Sequence, residues 1–129
     1  MELQEILEKR RLMYNYPLPT EEGYQLINMH DILYLEADGQ YTVFYFEGGK
    51  KILSSKNIGF FENELERQPF LRVHNSFVVN LNKVWKYIKA EDGYIVLIDK
   101  SVIKVSRSKK DYLLSIFRLP IFKNETTRS

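Results

Sequence analysis

The spacing of apolar residues changes several times along the chain, and those changes divide it. Leu3, Ile6, Leu7 and Met13 stand at helical spacing within Met1–Met13. Tyr16-Pro17-Leu18-Pro19 ends any helix there, because each proline removes a donor and restricts the residue before it. From Tyr24 the pattern turns to short apolar runs bounded by turn residues. These are Tyr24–Ile27, Ile32–Leu35, Tyr41–Phe46 behind the hairpin signal Asp38-Gly39, and Lys50–Leu53 behind Gly48-Gly49. Ile58, Phe61 and Leu65 return to helical spacing, with Asn57 or Ser55 to cap the start and Pro69 to stop it. Strand-like runs resume at Leu71–Val73, Phe77–Val79, Val84–Ile88, Tyr94–Ile98 behind the hairpin turn Asp92-Gly93, and Val102–Val105. A last helix is predicted from about Lys109 to Phe117, with Leu113, Ile116 and Phe117 inward and Pro120 closing it.

Strands joined by tight turns, without crossover helices, predict mainly antiparallel pairing. The expected fold is mainly β, with elongated antiparallel sheets and two short α-helices. Residues 1–22 read as an amphipathic leader and linker, either a junction to something else or a capping helix. Residues 23–119 read as the globular domain and 120–129 as a polar, frayed tail. A length of 129 residues with 44% hydrophobic and 14% aromatic side chains supports one ordinary core and excludes global disorder.

Charge sharpens the picture. The net +2 conceals a gradient: residues 1–23 carry three basic and five acidic groups, residues 101–129 seven and two. One basic surface suggests an anionic partner; the plainer reading is a solvated basic tail. Candidate catalytic chemistry is sparse. The glycines form no phosphate loop or dinucleotide fingerprint. His30 and His74 lie in different elements without metal-ligand spacing, and Glu62, Glu64 and Glu66 read as a solvated helix face. There is no cysteine, which removes disulfide scaffolds and thiolate chemistry. No enzyme, metal or cofactor is expected. No run approaches the roughly 18 apolar residues of a membrane span, and the first ten residues lack the apolar core of a secretory signal. The expected location is the cytoplasm.

Two segments carry candidate binding chemistry. In Arg72-Val73-His74-Asn75-Ser76-Phe77-Val78-Val79-Asn80, three polar side chains interrupt an otherwise buried run. They read as a simple turn, or as a loop that presents His74, Asn75 and Ser76 to phosphates or base edges. In Lys104-Val105-Ser106-Arg107-Ser108-Lys109-Lys110-Asp111, eight residues hold four of the nineteen basic groups. Ser108 and Asp111 resemble a capping box. That assignment places Lys109 and Lys110 in a first helical turn, where the dipole disfavours cations by a few tenths of a kcal/mol each, roughly. A docking anion removes the penalty.

The motifs YLEADGQYT (34–42), RVHNSFVVN (72–80) and VSRSKK (105–110), in that order, resemble the LytTR DNA-binding domain, the output domain of AgrA-type bacterial response regulators. The resemblance covers about residues 24–118. It implies a cytoplasmic, bacterial regulator of a two-component system that binds double-stranded DNA through loops entering successive major grooves. It implies Arg107 as base reader in the last loop and Asn75 in the central loop. His74, Ser76 and Arg72 would position that loop, Lys104, Lys109 and Lys110 would neutralise phosphates, and Ser106 is a further candidate DNA contact. The first reading loop falls near Gln40 and Tyr41, where some members carry His and this chain does not. Tyr41 reads equally as a strand residue packed on its sheet. Related domains use paired half-sites, so a homodimer on DNA is an expected assembly. Regulators of this type also carry a receiver domain, for which 129 residues leave no room. The input is then expected from a receiver or sensor protein, or the leader is a junction from a longer chain. The rival reading is a protein-interaction or self-association module, the same β-fold without DNA binding and docked by its aromatic surface, with the Leu3, Ile6 and Leu7 leader able to drive such contact.

Overall fold

The structure is a computed structural model and describes residues 2–10 and 15–122. Met13 of the leader pattern and the tail from Lys123 lie outside the described residues. Helix α1 (Leu3–Arg10) comes first, with Leu3, Ile6 and Leu7 all exposed. The strands β1 (Tyr16–Thr20) and β2 (Gly23–Ile27) form a hairpin. A five-stranded sheet follows in the order β5-β4-β3-β7-β6. Its members are β3 (Ile32–Asp38), β4 (Tyr41–Phe46), β5 (Lys51–Ser54), β6 (Phe70–His74) and β7 (Phe77–Asn80). A three-stranded sheet, in the order β10-β9-β8, holds β8 (Val84–Ile88), β9 (Tyr94–Leu97) and β10 (Val102–Lys104). Helices α2 (Ile58–Glu64) and α3 (Arg107–Phe117) complete it. Every strand pair is antiparallel, as the short connections predict. No helix among the described residues is long and apolar enough to cross a membrane.

One element departs from the expectation. Residues 16–20, which the prolines mark as linker, form β1 and bury Tyr16 and Leu18. Proline is excluded from strands only where its missing N–H would close a ladder. Here β1 is paired on one side alone, and Pro17 and Pro19 alternate with the buried positions.

The two faces of the five-stranded sheet are covered differently. On one, Leu35, Phe44 and Val78 pack with Leu18 and Ile27 of the hairpin and Phe61 of α2. The Phe44 and Phe61 rings meet edge to face, 4.8 Å between centroids. Asn57 caps α2, its Oδ1 accepting the Phe60 N–H at 2.9 Å. On the other face, Leu33, Val73 and Val79 pack with Ile95, Leu97 and Ile103 of the second sheet and Leu113 of α3. Leu33 and Leu35 belong to opposite cores although strand residues two apart normally share a face. The register shift between Ile32 and Tyr34 breaks the alternation and makes this possible.

A buried amide ties the end of β7 to the start of β3 and to the connection that leads on to β8. Asn80 donates from Nδ2 to the Ile32 carbonyl at 2.8 Å, and its Oδ1 accepts the Asn82 N–H at 3.0 Å. Replacing Asn80 by Ala strands the Ile32 carbonyl in the core, a loss of about 2 kcal/mol. Urea unfolding of Asn80→Ala should show it as a lower midpoint with an unchanged slope.

Tyr45 supplies a second test. Its hydroxyl donates to Glu36 Oε1 at 2.8 Å. Burial first, then that bond and the Glu36 charge, push its pKa up from 10.0 to about 12. Above the unfolded value the unfolded chain loses this proton while the folded chain keeps it. The contribution to stability is thus full below pH 10 and lost as the pH rises towards 12. Tyr45→Phe should lose stability less steeply than the parent across that window, as measured by denaturant midpoints at stepped pH.

Candidate nucleic-acid interface

Four connections lie at one end of the two larger sheets, tied in sequence by backbone hydrogen bonds. The β3–β4 turn, Gly39-Gln40, is a two-residue hairpin closed by the Asp38–Tyr41 pair, with Gly39 at φ +61°. Next to it stands the β6–β7 turn, joined where the Ala37 N–H donates to the Ser76 carbonyl at 2.9 Å. The β10–α3 junction is joined in turn by Ser106, whose N–H donates to the Val73 carbonyl at 2.9 Å. The β8–β9 loop closes the row: the Val105 N–H donates to the Gly93 carbonyl at 3.0 Å. Gln40, His74, Asn75, Ser76, Ser106 and Arg107 therefore share one rim.

The central turn is held from within. Val73 has no partner in the β6–β7 register, which shifts between Arg72 and His74. Such a bulge re-aims the chain and frees a carbonyl, and it is this carbonyl that anchors Ser106. Arg72 closes the turn from below. Its Nε donates to the His74 carbonyl at 3.0 Å, Nη2 to the Asn75 carbonyl at 2.6 Å, and Nη1 pairs with Glu62 of α2 at 2.7 Å. With its side chain 18% exposed, Arg72 spends its fork inside the protein. His74 Nδ1 accepts the Ser76 N–H at 3.0 Å, which leaves Nε2 as the nitrogen able to donate outward. The Asn75 side chain is exposed and makes no hydrogen bond among the described residues.

The last junction differs from the expected capping box. Helix α3 begins at Arg107 with Ser106 as N-cap, two residues earlier than Ser108 would place it. The bond from Ser106 to Val73 fixes Ser106 in extended backbone (φ −82°, ψ 156°), so the helix starts directly after it. No side chain caps the helix; the Ser106 hydroxyl lies 3.4 Å from that of Ser108. Arg107 takes the first helical position, its side chain 89% exposed, with Nε 3.6 Å from Asp92 Oδ1. Lys109 and Lys110 follow within the first turn and a half, and Lys104 is exposed at the rim end of β10. The basic groups thus keep the dipole conflict that the sequence suggests.

The first turn is the least committed. Gln40 is exposed without a side-chain partner among the described residues. Tyr41 is also exposed, but its hydroxyl donates to Glu21 Oε2 at 2.8 Å. That bond, and then the Glu21 charge, hold its pKa above the ordinary value. Three residues make contacts at the rim that the sequence does not assign them: Glu62, read as part of a solvated helix face, together with Asp92 and Lys56. Glu62 and Asp92 sit in elements distant in sequence from the groups they pair with, and no local pattern marks them. Lys56 stands beside the first turn because its carbonyl accepts the Thr42 hydroxyl at 2.8 Å.

An antiparallel β domain that presents linked loops from one end is the class of protein this fold and rim define. Residues 22–118 match the LytTr DNA-binding domain, and the chain belongs to that family. It is a DNA-binding domain and not an enzyme. The chain is 30% identical over 110 residues to the sensory transduction protein LytT of Bacillus cereus, covering 83% of this chain and 44% of the relative. It is 26% identical over 102 residues to the heme-containing CO-sensing transcriptional regulator RcoM 2 of Paraburkholderia xenovorans, 77% of this chain and 38% of that protein. It thus spans less than half the length of these relatives. Among solved structures it resembles the LytTr DNA-binding domain of a putative methyl-accepting/DNA response regulator from Bacillus cereus. That match has a TM-score of 0.69 at 23% identity, over 81% of this chain and 96% of the other. It shows the common fold.

Arg72→Ala should loosen the central turn without unfolding the sheet. Amide exchange at Asn75 and Ser76 should accelerate at least tenfold while that of Val78 and Val79 holds. Equal acceleration throughout the strand would show that Arg72 supports the whole sheet.

Proposed function

We propose that this domain is a sequence-specific, duplex-DNA-binding transcription regulator that reads successive major grooves through its rim loops. The observation that carries this reading is the rim itself: Arg107 and Asn75, exposed side chains of the two types that pair best with guanine and adenine edges, stand on backbone-linked turns of a DNA-binding domain. Arg107 is the guanine reader, and Asn75 contacts a base or phosphate in the neighbouring groove. His74 donates from Nε2, and Ser76 and Arg72 set the turn that carries it. Ser106, Lys104, Lys109 and Lys110 meet phosphates, which resolves the placement of cations at a helix start. Gln40 and Tyr41 form the third contact, with Gln40 the freer of the two.

The relatives suggest how the domain is used. LytT is named for sensory transduction and RcoM 2 for CO-sensing transcription control. By analogy this domain works in the bacterial cytoplasm and takes its input from a receiver or sensor unit. Two copies on paired half-sites are the proposed assembly.

Selection of bound duplexes from a random pool, repeated with Arg107→Ala, tests the reading. A motif should emerge from the parent and blur at one position in the variant, with a loss of about 1–3 kcal/mol on the selected site and little on random duplex. Lys109→Ala should weaken both and shallow the salt slope by about one. Equal losses on both duplexes for Arg107→Ala would reduce it to a phosphate contact. Failure to bind any duplex would turn the choice to the protein-interaction module, for which the exposed Leu3, Ile6 and Leu7 of α1 are the contact.

A further inference from the structure

The rim that carries the basic groups also carries one carboxylate beside its most exposed arginine. Asp92 Oδ1 stands 3.6 Å from Arg107 Nε. The side chain of Arg107 is 89% exposed, whereas the loop that bears Asp92 is held by its backbone. Gly93 sits at φ +107° with its Cα pressed against Tyr87: a Cβ there would lie 2.1 Å from the Tyr87 hydroxyl oxygen. Its carbonyl accepts the Val105 N–H, and its own N–H donates to the Ala90 carbonyl at 2.8 Å. Glu91 takes the left-handed conformation (φ 53°), and its carboxylate accepts the Tyr94 hydroxyl at 2.6 Å. The backbone thus delivers Asp92 to the Arg107 side of the rim.

A carboxylate at a surface that meets a polyanion weakens binding by repulsion. It is useful there if it acts on a neighbour. From Asp92 the approach is to Nε, the inner nitrogen of the fork, and the exposed outer edge is the one that reaches guanine O6 and N7 in a bidentate contact. We propose that Asp92 is a positioning residue for specificity: it orients the Arg107 guanidinium towards a base edge and repels backbone phosphates that would otherwise capture it. This rests on Arg107 as base reader. An exposed ion pair is worth little in stability, so the effect is on discrimination between duplexes and not on folding.

The test measures affinities for the selected duplex and for random duplex, at fixed salt, in the parent, Asp92→Asn, Asp92→Glu, Arg107→Ala and the Asp92→Asn/Arg107→Ala double variant. Asp92→Asn should bind random duplex about two- to five-fold tighter, the size of an exposed charge effect, with no matching gain on the selected site. The ratio of the two affinities falls, and melting temperature stays put. Asp92→Glu should restore the ratio. With Arg107 already replaced, Asp92→Asn should no longer change it. If Arg107→Ala lowers the ratio and Asp92→Asn does not, the positioning role is overturned and the base-reading role stands. A fall in the ratio that persists in the double variant would show that Asp92 acts independently of Arg107 and overturn the positioning role as well. If Arg107→Ala leaves the ratio intact, both fail together.

Discussion

The arrangement depends on one backbone bond, from the Ser106 N–H to the carbonyl of Val73. It exists because β6 bulges at Val73 and so leaves that carbonyl outside its ladder with β7. Through it the second sheet and α3 are registered on the first sheet at the end where the turns lie. The side chain of Val73, fully buried with Val79, Ile103 and Leu113, adds a hydrophobic anchor at the same residue. One irregularity in a strand thereby sets where Arg107 emerges relative to Asn75, a relation that neither sheet fixes alone.

Polar groups at the rim divide into those that build it and those that face out. Arg72 and Glu62 build, along with the Nδ1 side of His74. Asn75, Gln40 and Arg107 face out. The division matters because a side chain whose donors are already satisfied gains little from a new partner, while an exposed one exchanges water for a ligand. Composition alone would count Arg72 and Arg107 as equal members of a basic patch. Geometry makes one a brace and the other a probe.

Much of the β framework was legible in the chain because its signals are local. Asp38-Gly39 and Asp92-Gly93 mark connections at the rim, and Ile58, Phe61 and Leu65 mark α2 by spacing. The polar trio His74-Asn75-Ser76 was legible as a turn, though not the arginine beneath it. What escaped depends on contacts distant in sequence. The prolines of β1 argue against a central strand, and one-sided pairing reconciles them with burial of Tyr16 and Leu18. The capping box at Ser108 was chemically sound but displaced by two residues, because a carbonyl thirty-three positions earlier holds Ser106. Asp92 looked like a turn residue and is one; its nearness to Arg107 arises only when β9 and β10 bring their ends together.

The prolines of β1 have a bearing on how the molecule behaves in company. An unpaired strand edge is a template on which further chains can assemble. In β1 that edge offers no N–H at Pro17 or Pro19, so an incoming strand finds acceptors with too few donors between them. The Pro19 carbonyl is itself occupied by the Ser54 hydroxyl and the Ser55 N–H, which also covers the end of the outermost strand of the large sheet. For a domain proposed to gather in copies along a charged polymer, crowding raises the chance of edge-to-edge association. The same residues that hide β1 from sequence inspection make its outer edge a poor template for a neighbouring copy.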